Sequence, residues 1–563
     1  VDFWRNRPRE SRYQYSWAAY DRDENCWPCN WGHVSGITGV KPGKGFELLP
    51  SVVSHQAGAL TADGDFENSD VLTEVGLGLT YDISSEFTAE ATINPDFSQV
   101  ESDAAQIDVN STFALFYPER RPFFQEGSDL FNTYFNAVYT RSINDPIGAG
   151  KMTGRKGSSS IAFLSARDEH SVIILPFEEN SSFVENGKSY SNIVRARHDL
   201  GNQSHVGLIA TDRRFDEGGS GSLFGLDSQV RFGQSLSLRM QALATFTEEV
   251  NDTSLTSDFI EGLVDAGRDT TFDEGQYTVA LDGEKFWGHG LRGQLNYGAS
   301  NWWADWSYQE RSATFRADNG FEPQNNTRQS WVGSGYTFRF EDSSFLETIQ
   351  PSFDSGRKWN FEGVQKDEWI NASLSMNLRT AQTSMHARYM RSNELFGSIQ
   401  FDGIWLGHIC LHSQPSEVVG FGGNYDIGDR IARYDLVMGN ELSYGAWIDL
   451  KPMDRLFIAV NFNYIRSENK ATGEELFAGY ISRSRINLQV TRELSTRFVV
   501  QYNDFAQRWE FDPLITYRLN PLSIFYIGST RDHEDLNMAN HGREGWHLTN
   551  RQYFMKLQYL FQL

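Results

Sequence analysis

Two-residue alternation, repeated in segment after segment from about residue 70 to the C-terminus, is the feature that most constrains this chain. Ile370, Ala372, Leu374, Met376 and Leu378 interleave with Asn371, Ser373, Ser375, Asn377 and Arg379. Successive side chains of a strand point to opposite faces, so this spacing makes one apolar face and one polar face. Leu236, Leu238, Met240, Ala242, Ala244 and Phe246 repeat the pattern against Ser237, Arg239, Gln241 and Thr245. Leu456, Ile458, Val460, Phe462 and Tyr464 do so against Asn461 and Asn463.

A soluble sandwich shows the same alternation. Two features point instead to a membrane barrel. The stripes run over five or six alternate positions, longer than a soluble strand of roughly 5–6 residues. The connections are also asymmetric. Short turns are read at Ser84-Ser85, Gly201-Asn202, Gly233-Gln234, Gly288-His289, Asp342-Ser343, Pro452-Met453, Leu494-Ser495 and Asn520-Pro521, with long loops at 248–272, 303–327 and 531–547. Short periplasmic turns and long outer loops are the plan of outer-membrane barrels. The chain ends inside such a stripe: Tyr553, Met555, Leu557, Tyr559, Phe561 and Leu563 share one face and Lys556, Gln558 and Gln562 the other. This final strand resembles the C-terminal signal of barrel assembly, with Leu where Phe is usual.

The predicted fold is therefore all-β: a transmembrane antiparallel β-barrel over residues 45–563, with about 22–24 strands in a range of 18–26. An irregular, Trp- and Arg-rich arm over residues 1–44 is expected at the periplasmic end or in the lumen. A mean hydropathy of −0.49 and the absence of an apolar run of about 18 residues exclude a transmembrane helix but not a barrel. Aromatic residues, 14% of the chain, suit strands and interfacial girdles. The chain starts at Val1 rather than Met, as a processed, mature protein would. A net charge of −24 argues against nucleic acid as a partner. It leaves two readings: a solubilising surface, or acidic loops and lumen that favour cations or neutral polar solutes.

Residues 94–127 read NPDFSQVESDAAQIDVNSTFALFYPERRPFFQEG. This block closely resembles the signature of an uncharacterised outer-membrane β-barrel family whose longer members carry an N-terminal family-9-type carbohydrate-binding domain. Asp2-Phe3-Trp4-Arg5-Asn6 and the stretch Gly148 to Arg155 resemble further blocks of that family. The specific resemblance covers roughly residues 1–175. It implies a Gram-negative outer-membrane location and a link to glycans, and it brings no catalytic residues with it.

The signature block holds Asp96, Glu101, Asp103, Asp108, Glu119, Arg120, Arg121 and Glu126. It falls in a connection of about 50 residues, unusually long for a plain loop. Phe113, Leu115, Phe116, Phe123 and Phe124 would be costly in water, so the segment over 94–127 is expected to fold inward as a plug or constriction. Arg120 or Arg121 should then pair with acids, since a buried charge needs a partner. Structural ion pairs, glycoside hydrolysis and Ca²⁺ binding are the alternatives for these residues.

Cys26 and Cys29 form a CxxC followed by Asn30, which departs from a haem-attachment motif. A local disulfide is the natural reading in an oxidising periplasm. Trp302, Trp303 and Trp306 beside Asp305 suit stacking on sugars or an aromatic girdle. His408, Cys410 and His412 share one strand face, with soft-metal spacing or by coincidence. His533, Glu534, Asp535 and His541 resemble them more weakly, and the acids of 248–272 read as a solvated loop.

No GxSxG or HExxH motif supports an enzyme, and no cofactor or resident metal is expected. The favoured function is a channel or transporter for polar solutes, saccharides among them. A surface-anchoring scaffold for a partner or carbohydrate-binding module, and the barrel sheath of an electron conduit, are the alternatives. Expected partners are outer-membrane lipid and lipopolysaccharide, a saccharide, and a periplasmic or surface protein.

Overall fold

The computed structural model describes residues 4–7, 13–17, 31, 32, 34–36, 45–61, 63–95, 106–265, 267–536 and 545–562. Its alternating segments pair with their sequence neighbours into one closed antiparallel barrel of 24 strands. The C-terminal strand Trp546–Gln558 closes the circle by pairing with the first strand, Phe46–Leu60. It also pairs with Ile524–Asp535 on its other side. Closure leaves no open edge, as a β-sheet in lipid requires.

The pleat sorts the side chains as the sequence implied. Within strand Gln365–Leu378, Ile370 and Leu374 are exposed on the outer face while Asn371 is buried on the inner one. Within Leu236–Glu248, Met240 is exposed while Gln241 and Leu243 are buried. Tyr553, Met555, Leu557, Tyr559 and Phe561 are all exposed large apolar or aromatic side chains. In water such a belt would be a severe hydrophobic liability; facing acyl chains it is the surface a spanning barrel requires. The protein is an outer-membrane β-barrel of the Gram-negative type.

The turn reading fails at Gly288-His289, which lies inside the strand Lys285–Gly298. Gly288 serves close packing instead. A Cβ on Gly288 would sit 2.4 Å from Thr314 O and 2.6 Å from Phe315 Cα. The expected loop over 303–327 is also shorter: strand Trp302–Arg311 takes its first part. The remainder, 312–326, is buried almost throughout, with Phe315 fully so.

Connections at the outer end divide the barrel. Between residues 94 and 326 four of the five are long, 94–145, 169–188, 249–284 and 312–326, and one, 216–219, is short. The second of the long ones contains a hairpin of Ser171–Pro176 and Ser181–Asn186, and the third a helix, Ser257–Asp265. From residue 397 to 507 they shrink to 397–398, 433–436, 470–474 and 504–507. In the N-terminal arm, Trp4–Arg7 pairs antiparallel with Tyr13–Ser16.

Candidate functional site

Residues 106–145 leave the end of strand Phe87–Ile93 side of the barrel and return at Pro146–Lys156. Their apolar side chains pack on the inner wall and on the inward loop 312–326. Phe124, Phe131 and Ile143 pack with Ala149, Ala162, Leu164, Ala166 and Ile193. Phe135 and Ala137 pack with Ile209, Leu223, Leu243 and the inward loop residues Phe315 and Ala317. Phe116 departs from the expected packing: it is 49% exposed, although its ring lies 5.3 Å from Phe321 and 5.1 Å from Tyr139.

Polar wall residues fasten the segment's backbone, which has no ladder of its own to satisfy its N–H and C=O groups. Lys151 Nζ donates to Phe123 O at 2.7 Å and Glu126 O at 2.6 Å, and pairs with Glu90 at 3.0 Å. Arg213, fully buried, donates to Ser142 O at 2.8 Å and Asp318 O at 3.0 Å. Asp168 accepts from the backbone N–H groups of Asn144 and Asp145 at 2.9 and 2.6 Å. Gln241 Oε1 accepts from Phe135 N at 2.8 Å. Earlier in the segment, Asn110 Nδ2 donates to Ile431 O at 2.8 Å, so the chain reaches toward strand Val419–Ala432 before crossing.

Glu119 and Arg121 form the segment's own knot. Glu119 Oε1 accepts from Arg120 N, Arg121 N and Arg121 Nε at 2.8–2.9 Å, and Oε2 from Arg121 Nη2 at 2.6 Å and Thr140 Oγ1 at 2.7 Å. Burial works to raise the Glu119 pKa, but the Arg121 and Thr140 hydrogen bonds and the Arg121 charge outweigh it and hold the carboxyl below its ordinary value. Arg121 also donates to Ile143 O and Thr140 O and lies 4.3 Å over the Phe124 ring. It is thus a fastening residue. Arg120 is exposed and lines a cavity instead.

That cavity has a volume of about 720 Å³. Arg120, Arg121, Pro122 and Gln125 form one side, and the last strands of the barrel the other. It lies at the short-turn end, where Asp454, Arg455 and Pro521 belong to turns. Among the described residues, its charged lining is Arg120, Arg121, Arg455, Arg497, Arg518, Lys556 and a single acid, Asp454. Register places Arg497 opposite Leu514 and Lys556 opposite Val53, both buried inward, so both cations belong to the lumenal face. Arg485 continues the basic stripe along the wall, opposite inward-facing Ala459 and Val499. An acidic lumen was part of one of the two readings of the net charge; among the described residues the lining at this end is basic. Net charge says nothing about where the charges sit, and the acidic excess lies elsewhere on the molecule.

Other sequence candidates separate. Trp302 and Trp306 are exposed on the outer face and donate to Ser334 Oγ at 2.8 Å and Ser330 Oγ at 3.2 Å. Trp303, one residue on, faces the other way, with its ring against Gly335. The three rings therefore make no common sugar platform, and they adjoin the short turn 299–301 rather than a long loop. His408 Nδ1 is 2.8 Å from Asp426 Oδ1, and His412 lies against Trp447. Cys410 between them is a free thiol. Among the described residues, the one convergence of three metal-capable groups within 4.8 Å is Glu249, Asp282 and Glu284, in the outer loop region, and it excludes these histidines. Asp108 is exposed near the start of the described segment, and Glu126 contributes its carbonyl to Lys151. Asp96, Glu101, Asp103, Cys26, Cys29 and His541 lie outside the described residues.

Sequence reading missed Lys151, Arg213, Asp168 and Gln241, the wall residues that fasten the segment. Their signal was present: polar or charged residues at the inward positions of otherwise small or apolar strands. It also missed the basic lining, because those residues are scattered from Arg120 to Lys556.

A family model described as a domain of unknown function (DUF5916) matches residues 52–161. That span begins in the first strand and takes in the whole inward segment and its fastening Lys151. No curated protein matches the chain. Among solved structures, the FrpB iron transporter from Neisseria meningitidis (F3-3 variant) is 10% identical with a TM-score of 0.44, over 74% of this chain and 79% of that one. The siderophore receptor PirA from Acinetobacter baumannii is 9% identical with a TM-score of 0.42, over 91% and 80%. A mutant of the ferric enterobactin receptor PfeA from Pseudomonas aeruginosa, in complex with enterobactin, is 9% identical with a TM-score of 0.45, over 91% and 81%.

Proposed function

We propose that the protein is an outer-membrane passage for small polar solutes, in which residues 106–145 act as a constriction that fills one side of the lumen. The observation that carries this reading is the segment's uneven fastening, in which Asn110 and Ser111 at its leading end are held by Ile431, Arg433 and Tyr434. Its apolar residues pack on the wall from Ala149 to Leu243, while a cavity of about 720 Å³ separates Arg120 and Gln125 from the last strands. A barrel of this strand number is too wide for its own wall side chains to fill, so the inserted segment sets the free cross-section. Saccharides fit a polar lumen of this kind, and the family resemblance of residues 94–127 favours them. The anchoring scaffold and the electron-conduit sheath have no comparable observation behind them.

The test is single-channel conductance in planar bilayers, comparing the native protein with a variant in which 108–126 is replaced by a Gly-Ser linker. Residues 127–145, which carry Phe131, Phe135 and Ile143, stay in place to preserve much of the wall packing. A severalfold rise in conductance, in a barrel that still migrates as folded in unheated gels, is the expected result. Unchanged conductance in a folded variant would overturn the reading.

A further inference from the structure

The basic cavity carries a more specific inference than passage of polar solutes. Six of its seven charged lining residues are basic, in a chain whose acids outnumber its Lys and Arg by 74 to 50. These six cations are contributed by distant parts of the chain: the inward segment, one turn and three strands. Their meeting is a product of the fold rather than of one basic stretch of sequence. Arg121 is committed to Glu119. Among the described residues, neither Arg455 nor Arg518 has an ion-pair partner; Arg455 Nη1 meets only the neutral Val490 O, at 3.3 Å. Arg455 and Arg518 therefore offer an entering anion two guanidinium groups that no carboxylate of the described residues holds. The recess is of the size that holds small molecules, which runs from roughly 300 to 1,000 Å³. Tyr526, Asn487, Gln558 and Thr516 add hydroxyl and amide groups to the same lining, as a hydroxylated solute needs.

We propose that this cavity is a binding site for a small hydroxylated anion, bearing phosphate or carboxylate groups, that passes through or is retained in the lumen. The proposal rests on the passage reading only for the route by which the solute arrives. Guanidinium groups match both oxyanions, because their planar forks donate paired hydrogen bonds to either.

Equilibrium dialysis of the purified protein in nanodiscs against glucose 6-phosphate, glucuronate and glucose tests it. Glucose 6-phosphate, glucuronate or both should bind at least tenfold more tightly than glucose, and the preference should shrink as salt rises. The stronger of the two identifies phosphate or carboxylate as the preferred group. The double variant Arg497→Gln with Lys556→Gln should lose at least tenfold in affinity for that anion. If it does not fold, Arg455→Gln with Arg518→Gln, one in a turn and one at a strand end, should still lose threefold or more. Equal binding of glucose, no binding of either anion, or unchanged affinity in a folded double variant would overturn the proposal. Uptake of the same three compounds into liposomes separates this failure from that of the passage reading. Equal uptake without anion binding removes the anion site and keeps the passage. Anion binding without any uptake removes the passage and keeps the site.

Discussion

The two sides of this barrel obey one folding rule and reach opposite ends. On the side built from Pro146 to Arg311, inward positions are small, apolar or purposefully polar, and they are buried: Ala162, Leu164, Ile193, Ile209, Leu223, Leu243. On the side built from Val437 to Gln558, inward positions include Asn461, Asn463 and Arg485, which stay exposed to the lumen. The alternation that makes a strand is the same on both. What differs is whether the inner face has something to pack against. Long outer connections on the first side supply it, and the short ones on the second, such as 470–474 and 504–507, have too few residues to reach inward. The lesson is that loop length, rather than strand pattern, decides which part of a wide barrel becomes a protein core and which remains a water-lined wall.

The largest expected effect comes from breaking a fastening on the filled side. Arg213→Ala removes a fully buried guanidinium and leaves Asp168, equally buried, without it. A loss of roughly 3–5 kcal/mol is expected from urea unfolding in lipid vesicles. Arg485→Ala on the open side should change stability by no more than about 0.5 kcal/mol, since its head group is solvated. A similar loss at both sites would erase the distinction between the two sides.

A smaller effect is expected at Gly288. Adding a methyl there places it against the Thr314 and Phe315 backbone of the inward loop, which cannot yield as a flexible side chain would. Gly288→Ala should cost about 1–3 kcal/mol by overpacking, read by the same unfolding assay. A neutral result would mean that loop 312–326 does not press on the wall.

The smallest effect concerns pH. Burial pushes the Glu249 carboxyl up to about 8, with Arg316 pulling the other way and Glu284, Asp282 and Asp318 adding to the rise. A carboxyl whose folded pKa is raised binds more protons folded than unfolded above its ordinary value of 4.5. Its contribution is therefore most favourable below that value and is lost as pH rises through about 8. Melting temperature should fall slightly across that window, and Glu249→Gln should flatten the slope. An unchanged slope in the Gln variant would assign the pH dependence to other groups.

Much of this was legible in the sequence for a physical reason. A period of two is local, and lipid on one side and water on the other enforce it residue by residue, so Leu374 outside and Asn371 inside could be read directly. Chain length between recognisable strands was also local, and it flagged 94–127 as more than a turn. The parts that were not legible depend on contacts distant in sequence. Gly288-His289 looked like a turn because glycine marks turns and close approaches alike, and only the position of Phe315 distinguishes them. Trp302, Trp303 and Trp306 looked like a cluster because proximity in sequence hides the pleat, which sends Trp303 to the opposite face. The basic cavity joins Arg120 to Lys556 across the lumen, a juxtaposition that no window of sequence contains.

Single cysteines placed at inward wall positions, in a background where Cys26, Cys29 and Cys410 are replaced by Ser, test the central claim most directly. Reaction with a water-soluble, membrane-impermeant thiol reagent reports whether each position meets lumenal water. The account predicts fast modification at Asn461→Cys and Asn463→Cys and at least a hundredfold slower modification at Ile209→Cys and Leu243→Cys. Equal rates on the two sides of a folded barrel would contradict it.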